Sequence, residues 1–351
     1  MESYRVIGVM SGTSLDGIDI ACCNFRKSEN WEFEIETATT IPYSDVWKKK
    51  LTSWYRQDRY ALKEPDQEYG AFLAQIILDF ITKNNIQPDL IASHGHTILH
   101  QPHKGITLQI GDGRLIAEKT GIPVIFDFRS EDVAKGGQGA PLVPIGDRLL
   151  FYDFDFCINL GGFANISFEY VHQRMAYDIC PANIVLNEMS QRLGYPFDKD
   201  GMIARSGNVN QTLFNKLNEL EYYQAPYPKS LGREWVENYI NPIIDASKIE
   251  IKDVISTFTR HIAHQILLAV KQKEQAKVLI TGGGAYNLHL IELIKKQARQ
   301  SIVIPDEKLV NFKEALVFAF LGVLRWRNEI NCLCSVTGAS SDTSAGVIAR
   351  P

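Results

Sequence analysis

Short apolar runs separated by polar turns dominate the first third of the chain. Residues 4–10 and 18–25 have the composition of two strands around a polar loop, and residues 31–40 alternate in a strand-like way. Further elements follow from the same pattern: helices near 44–57, 66–84 and 115–120, a buried strand over 88–94 that enters a site loop, and a strand over 123–126. This order predicts a mixed α/β unit.

The same order of elements begins again after a stretch rich in glycine and proline at 136–144, which we interpret as the crossing between two lobes, with a hinge near 136–139. The elements predicted beyond it are strands over 154–160, 164–170, 174–178 and 277–281, and helices over 249–273, 288–299 and 312–326. The first of these helices has one apolar face, formed by Ile255, Phe258, Ile262, Ile266 and Val270. The polar tail at 335–344 is expected to be mobile. Two related lobes facing each other would form a nucleotide cleft.

Three glycine-rich loops, at 11–17, 161–164 and 282–284, each follow a predicted strand. Glycine lets the backbone approach a ligand closely, and such loops often bind nucleotides. Three of them in this order fit two phosphate loops and an adenosine loop. The chain has neither the P-loop motif nor a Gly-x-Gly-x-x-Gly after its first strand, so those two nucleotide-binding classes are unsupported.

The first loop combines Ser11, Gly12, Thr13, Ser14 and Gly17 with a carboxylate at Asp16. Backbone N–H groups and hydroxyls are suitable donors to phosphate. A carboxylate is tolerated beside a polyphosphate if a divalent cation lies between them. The other interpretation, a plain Gly/Ser turn between two strands, remains open on spacing alone.

Size and composition narrow the class of protein. The chain has 351 residues, which favours two domains or a bilobal fold, and its net charge of −4 argues against a nucleic-acid surface. No apolar run approaches the roughly 18 residues of a membrane span, and no signal peptide is visible, so we expect a cytoplasmic protein. The six cysteines fit structural thiols in a reducing compartment.

Eight motifs in order resemble those of the 1,6-anhydro-N-acetylmuramic acid kinases, a family of the sugar kinase/heat-shock ATPase/actin superfamily. They are MSGTSLDGID (10–19), SHGHT (93–97), QIGDG (109–113), DFR (127–129), GGQGAPLVP (136–144), NLGGFANIS (159–167), KSLGRE (229–234) and TGGGAYN (281–287). The resemblance implies a bilobal actin-like ATPase fold, with lobe I at 1–135 closed by 312–351 and lobe II at 136–311. It also implies ATP and Mg²⁺ as cofactors and a homodimer.

The activity implied by this resemblance is phosphorylation of O6 of 1,6-anhydro-N-acetylmuramic acid with hydrolytic opening of the anhydro bridge. The product, N-acetylmuramic acid 6-phosphate, belongs to peptidoglycan recycling. Because the bridge ties C1 to O6, O6 carries no proton, and the catalytic base must instead deprotonate a water that attacks C1. On the family pattern that base is Asp178, although capping of a helix near Pro181 is an alternative role for this carboxylate.

The resemblance also implies binding residues. Those expected to bind the nucleotide are Ser11, Gly12, Thr13, Ser14, Leu15, Asp16, Gly17, Ile18, Asp19, Gly161, Gly162, Gly282, Gly283, Gly284 and Asn287, with Asp16 holding the metal through water. Those expected near the sugar are His94, His96, Thr97, Arg129, Asp132, Asn183 and Glu314. Lys229 and Arg233 have either a ligand or a surface role. Arg129 suits the lactyl carboxylate, with an interlobe salt bridge as its alternative.

Three alternatives stay open. His94 and His96 would lie on one face of a strand, which also fits a metal hydrolase, although no third ligand has a convincing spacing. The chain departs from the family at Cys180, where glycine is usual, and a side chain there would crowd the sugar pocket or need a different backbone angle. A nucleotide-binding regulatory module of the same fold, or a kinase for a related sugar, therefore remains possible.

Overall fold

The computed structural model describes residues 2–12, 14–55, 57 and 59–351. The chain divides into two compact units, Met1–Leu150 with Phe312–Pro351, and Phe151–Asn311. Residues 136–150 therefore belong with the first unit, whereas the sequence-based boundary placed them in lobe II. The chain passes from one unit to the other at 150/151 and at 311/312, and not at the glycine-rich stretch.

Strands form one sheet in each unit. In the first unit they are β1 (Glu2–Ser11), β2 (Gly17–Lys27), β3 (Trp31–Pro42), β4 (Leu90–Gln101), β5 (Ile106–Ile110) and β6 (Val124–Phe126). The second unit has β7 (Phe156–Leu160), β8 (Phe163–Tyr170), β9 (Gln173–Pro181), β10 (Lys277–Thr281) and β11 (Ser301–Val303). The last strand, β12 (Val347–Ala349), returns to the first sheet and pairs with β6.

The two sheets repeat one topology. Read from β3, the first runs β3-β2-β1-β4-β6, with β12 beyond β6 and β5 paired to β4; the second runs β9-β8-β7-β10-β11. In each, the first three strands are antiparallel to their neighbours and the next two pairings are parallel. The prediction of an α/β protein with two related lobes and mixed sheets is thereby confirmed.

Helices flank both sheets. Those of the first unit are α1 (Asp45–Trp54), α2 (Lys63–Asn84), α3 (Gly113–Thr120), α4 (Ser130–Ala134) and α5 (Val143–Leu150). Those of the second are α6 (Asn183–Arg192), α7 (Met202–Ser206), α8 (Gln211–Asn218), α9 (Glu221–Gln224), α10 (Arg233–Trp235), α11 (Asn241–Ser247), α12 (Ile251–Val270) and α13 (Leu288–Gln297). The last two are α14 (Glu307–Trp326), which crosses the unit boundary, and α15 (Cys334–Thr337). The predicted apolar face of α12 is fully buried in the core of its unit.

Helix α14 lies directly on the first sheet. A Cβ atom added to Gly8 of β1 would lie 2.0 Å from the Ala315 carbonyl oxygen. One added to Gly322 of the helix would lie 2.6 Å from the Cβ of Ala92 on β4. Such contacts leave no room for a side chain, so these glycines allow close packing between helix and sheet.

The tail is held in place, so the expectation of a mobile segment at 335–344 is wrong. The Thr337 hydroxyl donates to Asp132 Oδ1 at 2.7 Å, the Ser340 N–H donates to the Lys135 carbonyl at 3.1 Å, and Thr343 pairs with Cys332. All six cysteines are free thiols, as expected for structural residues, and five are buried. Within the described part of the chain, no helix has the length and apolar character needed to cross a membrane.

Candidate active site

The loop between β1 and β2 is the predicted hairpin tip, with Ser11 and Gly17 at its two ends. Gly17 must be glycine, since an added Cβ would lie 2.6 Å from the Ile41 carbonyl oxygen. Ser14 and Asp16 are exposed, Gly12 is half-buried, and Thr13 lies outside the described residues. Leu15, at a φ of 60°, packs partly against the apolar core. Ile18 is fully buried, so only its backbone is available to a ligand.

Ser11 is not free to bind a phosphate through its hydroxyl. It is 2% exposed, and its Oγ lies 2.6 Å from Tyr43 Oη and 2.7 Å from His96 Nδ1. Beyond these, Tyr43 Oη lies 2.5 Å from Tyr69 Oη, and His96 Nε2 lies 2.7 Å from Tyr55 Oη. Both ring nitrogens of His96 are thus occupied in a buried chain of hydrogen bonds, and this imidazole is not presented to a sugar.

The expectation that His94 and His96 share one strand face is wrong. His94 packs against Phe318 of α14, with ring centroids 4.6 Å apart and ring planes tilted by 53°, whereas His96 contacts Tyr43 and Tyr69 on the other side of the sheet. The reason is a β-bulge at Gly95, which has a φ of 70° and lies where the register between β1 and β4 shifts. A bulge breaks the regular alternation of side chains between the two faces of a strand. The described residues contain no group of His, Cys, Asp and Glu side chains suited to a metal.

His94 instead holds Arg129. The guanidinium donates to His94 Nε2 from Nε at 3.0 Å and from Nη2 at 2.9 Å, and from Nη1 to the Gly139 carbonyl. Burial, together with the Arg129 charge, lowers the pKa of His94 well below its usual value, so the ring is neutral. Nε2 accepts, and the Nδ1 hydrogen then points to the Gly95 carbonyl at 2.9 Å. Burial lowers the pKa of Arg129 to about 10, but the side chain stays cationic at neutral pH.

Carboxylates accumulate beside this hairpin. Burial and the Asp16 charge raise the pKa of Asp19, although the Thr40 hydroxyl donates to Asp19 Oδ1 at 2.5 Å and opposes the rise. Glu314 of α14 is exposed at its surface. Desolvation by nearby protein atoms, and then the charge of Asp19, raise its pKa, while the positive charge of Arg129 lowers it by less. These carboxylates do not form a direct ligand set for a metal, but a hydrated divalent cation would offset the charges of Asp16 and Asp19.

Asp132 is a structural residue. It is 1% exposed; Oδ2 accepts from the Gly139 N–H at 2.8 Å, and Oδ1 accepts from the Thr337 hydroxyl and the Cys332 thiol. The expected sugar contact is therefore not available to its carboxylate. The same bonds hold the glycine stretch in the first unit, which contradicts a hinge at 136–139. Thr97, also expected at the sugar, is half-buried, and its hydroxyl accepts from Gln109 Nε2 at 3.3 Å.

In the second unit Asp178 lies near the end of β9, where the pairing with β8 shifts by one residue. Its Oδ2 accepts from the Leu231 N–H at 2.8 Å, and no described residue hydrogen-bonds to Oδ1. Burial raises the pKa of Asp178, and the bond from Leu231 lowers it by less. The carboxylate does not cap α6, because that helix begins at Asn183 and has no side-chain cap. One oxygen is thus oriented and the other is free to accept a proton.

Residues 222–231 form a strap across β9 at this point. The Tyr222 hydroxyl donates to the Asp178 carbonyl, and the Asp178 N–H donates to the Lys229 carbonyl at 3.1 Å. Lys229 Nζ donates to the Tyr222 carbonyl at 2.7 Å and lies 4.6 Å from the centroid of the Tyr222 ring. The strap therefore fixes both the backbone and the carboxylate of Asp178. Arg233 follows the strap in α10 and is exposed.

Cys180, where the family has glycine, is accommodated within the second unit. It is fully buried in the apolar core of its unit and has no positive φ, so position 180 does not require glycine in this protein. The expectation of an unusual backbone angle at position 180 is wrong, and the side chain at this position lies in the core.

The other two glycine loops meet within the second unit. The Gly161 and Gly162 carbonyls accept from the Asn183 and Ala182 N–H groups at 3.2 and 2.8 Å, so this turn binds the start of α6. A Cβ added to Gly284 would lie 2.7 Å from Leu160 Cβ, and one added to Gly282, at a φ of 83°, would lie 2.4 Å from Asn159 Oδ1. Gly283 alone in this loop has open space at its Cβ position, which leaves room for a ligand.

Two side chains expected at ligands have structural partners here. Asn287 is 8% exposed, and its Oδ1 caps α13 by accepting from the Leu290 N–H at 3.0 Å. Asn183 Nδ2 donates to the Leu160 carbonyl at 3.2 Å. Both hold glycine loops in place.

Sequence reasoning missed the residues that hold the site together. Tyr43, Tyr55 and Tyr69 surround His96, and Tyr222 and Leu231 hold Asp178. No local motif marks the three tyrosines. The 229–234 motif did include Leu231, but its contribution is a backbone N–H, which a sequence does not display.

Comparison with known proteins gives a consistent result. The family model described as "Anhydro-N-acetylmuramic acid kinase" matches residues 4–351. A curated protein of that name from Hydrogenovibrio crunogenus is 34% identical over 370 residues, which cover 99% of each chain. One from Vibrio cholerae is 34% identical over 371 residues, 100% of this chain and 99% of the relative.

A solved ROK family glucokinase from Streptomyces griseus, in complex with glucose and AMPPNP, is 10% identical with a TM-score of 0.42. The aligned region covers 90% of this chain and 98% of the glucokinase chain.

Proposed function

Because the chain belongs to the anhydro-N-acetylmuramic acid kinase family, we propose that it phosphorylates O6 of 1,6-anhydro-N-acetylmuramic acid with ATP and opens the anhydro bridge with water. The product is N-acetylmuramic acid 6-phosphate. The observation that carries this proposal beyond the family assignment is Asp178, whose Oδ2 is anchored by the Leu231 N–H while Oδ1 has no partner among the described residues. A half-buried carboxylate with one oriented and one available oxygen is suited to general base catalysis.

The reaction needs a base for water and none for the sugar oxygen. Asp178 Oδ1 takes a proton from the water that attacks C1, and the C1–O6 bond breaks. The electron pair left on O6 attacks the γ-phosphorus of ATP, ADP leaves, and the proton on Asp178 passes to solvent. Water is thus split between the new C1 hydroxyl and the released proton, and the phosphoryl group ends on O6. The phosphoryl step depends mainly on position and charge neutralisation.

The nucleotide is assigned to the glycine loops. In the first unit, Gly12 and residues 14–17 would supply backbone N–H groups and the exposed Ser14 hydroxyl. In the second unit, Gly161, Gly162 and the open position at Gly283 would allow close backbone approach. Asp16 is the residue that would hold Mg²⁺, through water. When bound, the ion would neutralise phosphate charge.

The lactyl carboxylate of the sugar is assigned to Arg129. His94 and Gly139 occupy Nε and one hydrogen on each terminal nitrogen. One hydrogen on each terminal nitrogen stays available for a charged contact with a carboxylate. The neutral His94 ring thereby acts as a positioning residue, because it fixes the guanidinium plane without competing for its charge.

A reaction in ¹⁸O-labelled water tests the proposal. Protein, ATP, Mg²⁺ and 1,6-anhydro-N-acetylmuramic acid should give N-acetylmuramic acid 6-phosphate with the label at C1 and none in the phosphate, as read by mass spectrometry. N-acetylmuramic acid without the bridge is the control substrate. Phosphorylation of that control alone would indicate a kinase for a related sugar. Slow ATP turnover that no sugar changes would indicate a nucleotide-binding regulatory module.

We place this reaction in the cytoplasm, where ATP is available, as a step of peptidoglycan recycling, and we expect a homodimer. Light scattering of the purified protein measures its oligomeric state.

A further inference from the structure

Lys229 belongs to the 229–234 motif, and the sequence left open whether it has a ligand or a surface role. Its side chain is half-buried, and burial lowers the pKa of the ammonium. No carboxylate of the described residues pairs with this cation, whose Nζ donates to the Tyr222 carbonyl at 2.7 Å. A cation that is partly removed from water and has no anion is unfavourable, so other contacts must stabilise it.

Two aromatic rings lie beside this ammonium, and both belong to residues that flank or bind Asp178. Lys229 Nζ lies 4.6 Å from the centroid of the Tyr222 ring and 5.6 Å from that of the Tyr177 ring. Tyr177 precedes Asp178 on β9, and the Tyr222 hydroxyl donates to the Asp178 carbonyl. An ammonium is attracted to the face of an aromatic ring, and more strongly where water is excluded. The Lys229 side chain therefore bridges β9 and the strap at the position of Asp178.

The main chain at Lys229 holds the same aspartate. The Lys229 carbonyl accepts from the Asp178 N–H at 3.1 Å, and Leu231, two positions further on, donates from its N–H to Asp178 Oδ2 at 2.8 Å. Because the two contacts are so close along the chain, a shift of the strap at Lys229 would also displace the Leu231 N–H. The ammonium, which ties position 229 to position 222, opposes such a shift.

The other titratable groups around Asp178 stay neutral at physiological pH. Burial, and then the Asp178 charge, raise the pKa of the Tyr222 hydroxyl and of the Cys180 thiol, and burial raises the pKa of Tyr177 to about 12. Burial and the Leu231 N–H shift the pKa of Asp178 itself, and the Lys229 charge does not. The ammonium therefore acts on Asp178 through the position of the strap, and not as a counter-charge.

We propose that Lys229 is a positioning residue, whose ammonium holds the strap at 222–231 so that the Leu231 N–H orients the Asp178 carboxylate. The role of Asp178 as the base rests on the proposed function, whereas the contact between the strap and the carboxylate does not. An ammonium suits this position because it donates to a carbonyl and is attracted to two ring faces at once. Lys229 thus acts on the reaction through Asp178 and touches neither sugar nor nucleotide.

The NMR signal of the Leu231 amide tests this role without any ligand. Its chemical shift should follow the charge on Asp178, because this N–H donates to the carboxylate, and the titration should vanish in Asp178→Asn. In Lys229→Met the amplitude should shrink and the midpoint should rise by about 0.5 to 1 pH unit, since loss of a hydrogen bond to the charged form raises a carboxyl pKa. Lys229→Arg, which keeps a cation and its donors, should stay close to the wild type.

Kinetics test the consequence for the reaction. Lys229→Met should lower kcat for sugar phosphorylation about 10-fold by misplacing the base, with KM for ATP nearly unchanged. The acid limb of its pH profile should move to higher pH by the same amount as the Leu231 titration, and Lys229→Arg should recover most of kcat. Asn210→Ala is the control for stability alone, because it removes a helix cap in the same unit and should change neither the midpoint nor kcat.

An unchanged Leu231 titration in Lys229→Met would overturn the positioning role even if the melting temperature fell, because a lysine that only stabilises the fold would change stability alone. A wild-type protein that phosphorylates no sugar would overturn the proposed function. The Leu231 titration would still decide whether Lys229 positions Asp178, so the two failures are distinguishable.

Discussion

Asp178 has to satisfy two opposing requirements at the scale of a single residue. A base must be ionised to accept a proton, but burial raises the pKa of this carboxyl and so disfavours its ionised form. The Leu231 N–H, 2.8 Å from Oδ2, compensates in part. The folded protein therefore holds an ionised group at neutral pH at some cost in stability, which is typical of a functional carboxylate.

Asp178→Asn should separate activity from stability. We expect kcat to fall about 100- to 10,000-fold, the usual range for loss of a general base. The pKa of Asp178 is higher in the folded state than in the unfolded chain, so its ionisation destabilises the fold at neutral pH, and the amide should leave the melting temperature unchanged or higher. The measurements are steady-state kinetics and thermal denaturation.

In the wild type, activity should fall as pH drops through a pKa above the ordinary aspartate value of about 3.9, and Asp178→Asn should lack this acid limb. Asp245→Asn, at an exposed aspartate on α11, serves as the control. A large loss of melting temperature in Asp178→Asn would contradict the argument.

At the scale of elements, two helices in the second unit begin with the same device. Asn287 Oδ1 caps α13 by accepting from the Leu290 N–H at 3.0 Å, and Asn210 Oδ1 caps α8 by accepting from the Leu213 N–H at 2.9 Å. Only the first cap belongs to a glycine loop assigned to the nucleotide. Comparing variants of these two caps therefore separates the contribution of a cap to folding stability from its contribution to ATP binding.

Asn287→Ala and Asn210→Ala should each lower the free energy of unfolding by about 1 kcal/mol, the usual effect of losing such a cap. Only Asn287→Ala should also raise KM for ATP, because its loss frees the loop at 282–284. Denaturant titration and ATP-dependent kinetics measure the two effects. Equal values of KM for ATP in both variants would exclude this loop from the nucleotide site.

Comparison of the elements with the sequence shows which features a local sequence pattern can predict. The β1–β2 hairpin, the apolar face of α12 and the three glycine loops follow from neighbouring residues, and the structure has them as predicted. The two histidines were placed wrongly because a bulge at Gly95 sends them to opposite faces. Asp132 was placed wrongly because its partner Thr337 lies about 200 positions away, a contact that no local pattern reveals.

At the scale of the whole molecule, the two units repeat one strand order but differ in how the chain completes them. The second unit is continuous from 151 to 311, and its apolar core, from Phe156 to Val310, lies entirely within those residues. The first unit needs residues 312–351, because α14 covers β1 and β4 at Gly8 and Ala92 and β12 pairs with β6. Folding of the first unit therefore depends on both ends of its sequence.

This difference predicts the behaviour of fragments. Residues 151–311 alone should melt cooperatively, since they bury a complete core. Residues 1–150 alone should not, because without α14 the apolar surface of β1 and β4 stays exposed to water. Joining 312–351 to residue 150 through a Gly/Ser linker should restore a cooperative transition, measured by circular dichroism. A cooperative transition in 1–150 alone would mean that α14 merely covers a unit that is already stable without it. The first unit would then not need residues 312–351 to fold.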